Sequence, residues 1–388
     1  MFKYYALITT LAFASSIAPL STDMYLPALS LVENDFNTSA FYTQLSLTSF
    51  FCAFAFGQLI YGPLSDAYGR KKPLIIGLIL FIISSIICIS VENIYIFILC
   101  RFLQALGGCA GVVIARAIVN DLFDSKKALS VFAIMMVISS LAPMLSPSFG
   151  GLLLKFFSWH SIFICLFVLG IILLLMVFLF LDESLKSKSE FSLRQSFTNY
   201  KIVLNDKIFL SCVLLASFAI SSMFAYITSS SFIFIKEFNL SEQAYAILFG
   251  ANALGFVIFA NINAYLAKKI QIQKLLSYAV KIMFLASILM LIVASLKIFI
   301  LFEMALFVSL AMLGFIMPNT TVIAMQRFKA LSGSASALIG AIQFAFATFV
   351  SFLVGFLQAN SAIALASVVI ICMLLANIIF TLAFKNNN

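Results

Sequence analysis

From Pro73 to Val91 the chain carries no charged side chain, and runs like it recur from one end to the other. A helix needs about 20 mostly apolar residues to cross a bilayer. Backbone in hydrocarbon must satisfy its own hydrogen bonds, so apolar runs of this length read as helices rather than open sheets. Breaking the sequence at polar loops and turn residues gives twelve segments, at 4–29, 41–61, 73–91, 94–118, 128–154, 159–181, 208–235, 242–266, 274–296, 298–325, 333–357 and 361–384. Composition agrees. Apolar residues make up 64% and charged residues 10%, against about 45–50% and about 25% in an ordinary soluble domain. The first segment has no clear A-x-A cleavage site and reads as a retained helix.

The longest polar stretch runs from Leu181 to Lys207 and divides the segments six and six. The expected organisation is an N-terminal six-helix bundle (1–181), a linker (182–207) whose "SLRQSFTNYKIVL" portion suits a short surface helix, and a C-terminal six-helix bundle (208–388). The net charge of +9 would suggest nucleic acid in a soluble chain. Here the bases sit between apolar segments, so they report topology, since Lys and Arg hold loops on the cytoplasmic side. With both termini inside, the inner loops carry nearly all the loop bases, among them Arg70, Lys71, Lys72, Lys268 and Lys269, while Lys155, Lys236 and Lys297 fall outside. "GRKKPLI" after segment two and "AKKIQIQKLL" after segment eight are both short, basic and followed by an apolar helix. They suggest duplicated halves, an architecture in which substrate binds near the midplane between repeats. The expected fold is thus all-α integral membrane, with twelve transmembrane helices in two pseudo-symmetric bundles.

Charges inside such segments are expensive, about 2.5–3.5 kcal/mol at the bilayer centre on insertion scales, and mark function by default. Asp23 stands near the outer end of segment one, four residues after Pro19 and four before Pro27. Arg101 stands in segment four at a matching depth, about 9–10 Å from the outer surface at 1.5 Å per residue. An ion pair or a shared cavity between them is expected; the alternative is that Asp23 snorkels outward and caps a helix broken at Pro27. Glu303 in segment ten falls near the position of Arg101 in the second half and is a second candidate carboxylate; an interfacial role is the alternative. Lys281 can snorkel and reads as structural. Tyr25, Tyr226, Asn252, Asn319 and Gln343, amid 44 phenylalanines, are candidate lining for a cavity suited to an amphipathic or apolar solute; each also suits a plain interhelical hydrogen bond. In segment five, Ser139, Pro143, Pro147 and Gly151 recur every four residues and share one small, kinked face. With Gly150 they form a candidate gating helix, although close packing alone would explain them.

Several chemistries find no residues. The seven cysteines lie in apolar stretches without a CxxC pair, and His160 is the sole histidine, beside Trp159 as an interfacial pair. No zinc site, disulfide framework, P-loop or catalytic cluster is legible. The expectation is a non-enzyme with no metal or cofactor, driven by an ion or solute gradient.

At the level of motifs, "GPLSDAYGRKKPL" (Gly62 to Leu74) resembles the loop signature of the major facilitator superfamily, matching at Gly62, Asp66, Gly69, Arg70 and Lys71, with Ala67 where a base is usual. "RFLQALGGCAG" (Arg101 to Gly111) is similar to its fourth-helix motif, with Ala105 for the first Gly. "SPSFGG" (Ser146 to Gly151) resembles its fifth-helix antiporter motif, with Ser146 for the first Gly. Together with "STDMYLPALS", these stretches resemble the Bcr/CflA-type drug-resistance transporters. In the second half, the copy of the loop motif has Ala267 about where Asp66 would fall. The resemblance implies a bacterial inner-membrane antiporter; separately, a monomer is expected. It would export drug-like small molecules by alternating access in exchange for protons. An uptake symporter of the same superfamily would share the fold and loop motif, and a receptor or assembly factor would need neither Asp23 nor Arg101.

Overall fold

A computed structural model describes residues 2–123, 131, 134, 135, 145–185, 193–328, 331–356 and 361–384. Among them every regular element is helical, and eleven helices are long and apolar enough to cross a membrane. The expected fifth segment, 128–154, lies largely outside the described residues, Pro143 included; its described end is helical over 145–156.

The chain divides into two compact units, Met1–Ser196 and Phe197–Asn388. The N-terminal unit holds α1 (Phe2–Asp23), α2 (Leu29–Asp35), α3 (Ala40–Tyr68), α4 (Lys71–Ser90), α5 (Ile94–Leu122), α6 (145–156) and α7 (His160–Phe180). A short helix, α8 (Leu193–Leu204), follows where the linker sequence suggested one. The C-terminal unit holds α9 (Lys207–Ser231), α10 (Glu242–Leu266), α11 (Ile272–Ser295), α12 (Phe299–Gln326), α13 (Ser332–Phe356) and α14 (Ala362–Phe384).

Several helices begin at a side chain that caps free backbone N–H groups, the usual work of Asn, Asp and Ser at that position. Asn93 accepts from the N–H of Tyr95 at 2.8 Å, Asp206 from that of Phe209 at 2.8 Å and Ser241 from that of Ala244 at 3.2 Å. Inside each unit the same pairings recur. In the first, α5 packs on α1, α3 and α4, and α7 on α1 and α4; in the second, α12 packs on α9, α10 and α11, and α14 on α9 and α11. This correspondence is the internal repeat expressed in packing. Faces left over are apolar: Ile76, Ile79, Ile83 and Ile86 form an exposed stripe on α4, and Leu285, Leu289 and Ile292 one on α11. Exposed apolar stripes of this kind suit acyl chains rather than water.

The first expected segment, 4–29, is not one continuous α-helix. α1 ends at Asp23, and a 3-10 turn (Leu26–Ala28) leads into α2. Pro27 is the physical cause. It has no N–H to give the carbonyl of Asp23, and its ring collides with a helical carbonyl four residues back. The cysteines are all free. Trp159 stacks on His160 at 3.8 Å and donates its indole N–H to Asp35 at 3.0 Å, tying the start of α7 to the end of α2.

Candidate functional site

Three polar constellations stand out, two in the N-terminal unit and one in the C-terminal unit.

Asp23 is 6% exposed at the end of α1. Arg101, on α5, is fully buried. The expected ion pair between them is not formed among the described residues. The guanidinium instead lies among rings. Its Cζ is 4.7 Å from the ring centre of Phe50, 4.9 Å from that of Tyr25 and 5.6 Å from that of Phe163. One terminal nitrogen donates to Gln104 Oε1, and Gln104 Nε2 donates in turn to Ser85 Oγ at 2.7 Å. Nε and Nη2 of Arg101 have no hydrogen-bond partner. Desolvated cation–π contacts are worth about 2 kcal/mol each, so rings from α3, α7 and the break after α1 together offset part of the burial cost. Tyr25, a candidate for cavity lining, is fully buried in this box with its hydroxyl 3.2 Å from Ser46 Oγ. The break that puts Asp23 at a helix end also places Tyr25 under Arg101.

α6 comes against the same break. A Cβ on Gly150 would collide with the carbonyl oxygen of Met24, the residue after Asp23. Glycine is therefore required by close approach. Pro147, Gly150 and Gly151 are all buried.

The second constellation is built on the loop between α3 and α4. Gly69 has φ +94°, a conformation that suits glycine. The turn aims Arg70 back at the helix ends. Its guanidinium pairs with Asp66, with Asp121 at the end of α5 (Nε 2.8 Å) and with Ser65 Oγ (2.8 Å). Burial works against this charge, but the bonds to Asp121 and Asp66 outweigh it and hold the guanidinium above its ordinary value. Glu183, after α7, accepts from the backbone N–H of Arg70 at 2.8 Å and of Lys71 at 3.2 Å. Burial would raise its carboxyl, yet these backbone donors hold it below the usual carboxylate value. Ser184 Oγ donates to Asp121 at 3.1 Å, and Lys71 Nζ reaches the carbonyl of Phe178 at 3.4 Å. Gly62 has open space where a Cβ would stand. Asp121, Glu183 and Ser184 were not singled out from sequence. The available signal was an acid closing one apolar helix and an acid directly following another.

In the C-terminal unit, Glu303, near the start of α12, accepts from Asn252 Nδ2 at 2.9 Å, and the same nitrogen donates to Tyr226 Oη at 3.2 Å. Asn319 forms a reciprocal amide pair with Asn263, at 2.9 and 3.1 Å, joining α12 to α10. Gln343 Nε2 is buried without a partner. The loop between α10 and α11 lacks the acid of its N-terminal counterpart. The polar clamp of this unit lies elsewhere, where Arg327 makes a two-pronged bond to Asp206 at 2.6 and 2.9 Å.

Comparison with known proteins agrees with this architecture. The chain is 33% identical over 97% of its length, and 94% of the relative's, to "Uncharacterized MFS-type transporter YdgK" of Bacillus subtilis (strain 168). It is 29% identical over 92% of its length, and 90% of the relative's, to "Bicyclomycin resistance protein homolog" of Haemophilus influenzae. In structure it is similar to a D-xylose-proton symporter, with a TM-score of 0.78, 14% identity and coverage of 96% of this chain and 97% of that one, which is a likeness of fold. The sequence profile described as "Major Facilitator Superfamily" matches residues 11–352. With the repeated helix pairings and the Arg70 loop, this match shows that the chain belongs to the major facilitator superfamily, as a multi-pass membrane transporter rather than an enzyme.

Proposed function

We propose that this transporter is a proton-coupled antiporter exporting drug-like small molecules by alternating access, seated in a bacterial inner membrane with both termini cytoplasmic. The observation that carries the reading is Asp23, a buried carboxyl at a helix break with no ion pair among the described residues. A carboxyl that no cation neutralises gains most from binding a proton when water leaves and from releasing it when water returns. Water access at the break then decides its charge. Each charge moved across the membrane potential is worth about 2.3 kcal/mol per 100 mV. Arg101 supplies a fixed positive charge close to the same break, through Tyr25. The likeness to a bicyclomycin resistance protein homolog supports drug-like cargo, and the basic inner loops support the orientation. The test is transport in vesicles of set polarity. Wild-type protein is expected to exchange drug for protons, and Asp23→Asn to lose the exchange while still folding. Uphill drug uptake with the proton gradient would reverse the assignment to symport. Undiminished exchange in Asp23→Asn would remove Asp23 from the mechanism.

A further inference from the structure

The Glu303 cluster has a hydrogen-bond deficit that one proton resolves. Asn252, 2% exposed on α10, gives its Nδ2 to both Glu303 Oε1 and Tyr226 Oη. Glu303 Oε2 and Asn252 Oδ1 are then both buried and both without a partner. An ionised carboxylate only accepts, and so does an amide oxygen, so these two atoms have no hydrogen to share. Buried acceptors left empty cost about 1–3 kcal/mol each, more for charged groups. Adding one proton at Oε2 converts an empty acceptor into a donor. With the Nδ2 bond kept, the new O–H can close on Asn252 Oδ1, giving a carboxylic acid–carboxamide pair with a hydrogen bond in each direction.

We infer that Glu303 and Asn252 form a proton-binding site in the C-terminal unit, separate from Asp23. The surroundings supply no competing cation among the described residues. Glu303 is the only ionisable residue on α12. α9 presents Tyr226. On α10, Tyr245 bonds Ser230 at 2.8 Å and Glu242 lies in the first turn. On α11, Lys274 and Lys281 are exposed, and α13 has no ionisable residue. The segment Phe232–Glu237, whose Phe234 ring meets that of Phe299, carries Lys236 against the Phe232 ring and Glu237 on the backbone N–H of Ala362. Ion pairs among the described residues do not reach Glu303. Use of this proton in transport rests on the exporter reading; its binding does not.

The experiment separates the two. Infrared difference spectroscopy on full-length Asp23→Asn protein removes the signal of the other buried carboxyl among the described residues. At neutral pH the carbonyl stretch of a buried protonated carboxyl is expected. It should disappear in Asp23→Asn with Glu303→Gln, which keeps the pair's shape and therefore its fold. It should change frequency with Asn252→Leu, which removes the amide donor. No such band in Asp23→Asn, a band surviving Glu303→Gln, or one abolished by sodium ions would each overturn the site. In vesicles, Glu303→Gln with Asp23 intact is expected to export with one proton fewer per drug molecule. An unchanged proton count would overturn the site's role in coupling while the infrared result stands on its own.

Discussion

The two units share their helix pairings and differ in nearly everything polar. In the N-terminal unit the fourth-helix position holds a cation, Arg101, boxed by rings; in the C-terminal unit α12 holds a carboxyl, Glu303, facing an amide. The first helix of each repeat ends irregularly, but α1 gives way to a 3-10 turn at Pro27, whereas α9 runs into a wider π-turn over Phe232–Glu237. One unit secures its helix ends with a buried guanidinium, Arg70, the other with a more exposed one, Arg327, whose side chain is 43% accessible against 8%. The lesson is a division of labour. Apolar faces carry the shared fold, because non-directional packing tolerates many sequences. Polar groups are free to diverge, and they carry what distinguishes the halves.

The sharpest way to break the comparison is at the α1 break. Gly150→Val puts a side chain into the Met24 carbonyl, and transport is expected to be lost at normal expression, read as drug susceptibility of an efflux-deficient host. Gly62→Ala, whose added Cβ meets open space, should leave the unit's melting temperature unlowered. Next comes the cation box. Arg101→Lys keeps the charge but loses the planar stacking and fork geometry that three rings and Gln104 select. We expect a loss of about 2 kcal/mol in unfolding stability, measured by thermal melting in detergent, together with impaired exchange. Glu303→Gln, by contrast, should melt like the wild type.

Smaller effects compare the two clamps. Breaking a buried pair costs up to about 3–5 kcal/mol because its partner is stranded, while exposed pairs return about 0.2–1 kcal/mol. Arg70→Ala should therefore lower the melting temperature more than Arg327→Ala; equal shifts would show that burial does not set their ranking. The smallest effect is pH-dependent. Burial would raise the carboxyl of Asp206, but the bonds from Arg327 and the Phe209 N–H outweigh it and lower its folded value. A lowered carboxyl stabilises the fold above the ordinary value of about 3.9 and stops doing so as pH falls through the lowered value. The stability gap between wild type and Arg327→Ala should accordingly shrink on acidification and hold between pH 5 and 7, about the range in which both forms of Asp206 stay ionised.

The legible part of this molecule was its periodic and punctuated part. Charge-free runs marked helix positions, and "GPLSDAYGRKK" marked a basic turn, in which Gly69 takes a positive φ and Arg70 pairs with Asp66. Pro27 also announced the break in the first segment, since its missing N–H lies opposite the Asp23 carbonyl, and the segment remains a single span across that break. What stayed hidden was distant pairing. Matching depth suggested Asp23 beside Arg101, but depth says nothing of rotation about a helix axis, and Arg101 takes Gln104 and three rings as its neighbours. Phe50 and Phe163 could not be told from the other phenylalanines because a cation–π box leaves no spacing in sequence. Glu183 works through backbone N–H groups more than a hundred residues away, and backbone partners are invisible to any residue pattern.

Among the described residues Arg101 is held by rings and an amide rather than by a carboxylate. Rings screen a guanidinium without cancelling it, so the core of the N-terminal unit keeps a permanent, uncompensated positive charge among the described residues. Another cation 8 Å away meets about 2 kcal/mol of repulsion at an effective dielectric of 20. Such a charge is an electrostatic barrier to other cations. On the role proposed for Asp23, a proton bound there would meet this charge as a barrier to onward passage through the box, as a fixed arginine closes some water pores to protons. The same residue that gives the site its field would thus keep the membrane from being short-circuited through it.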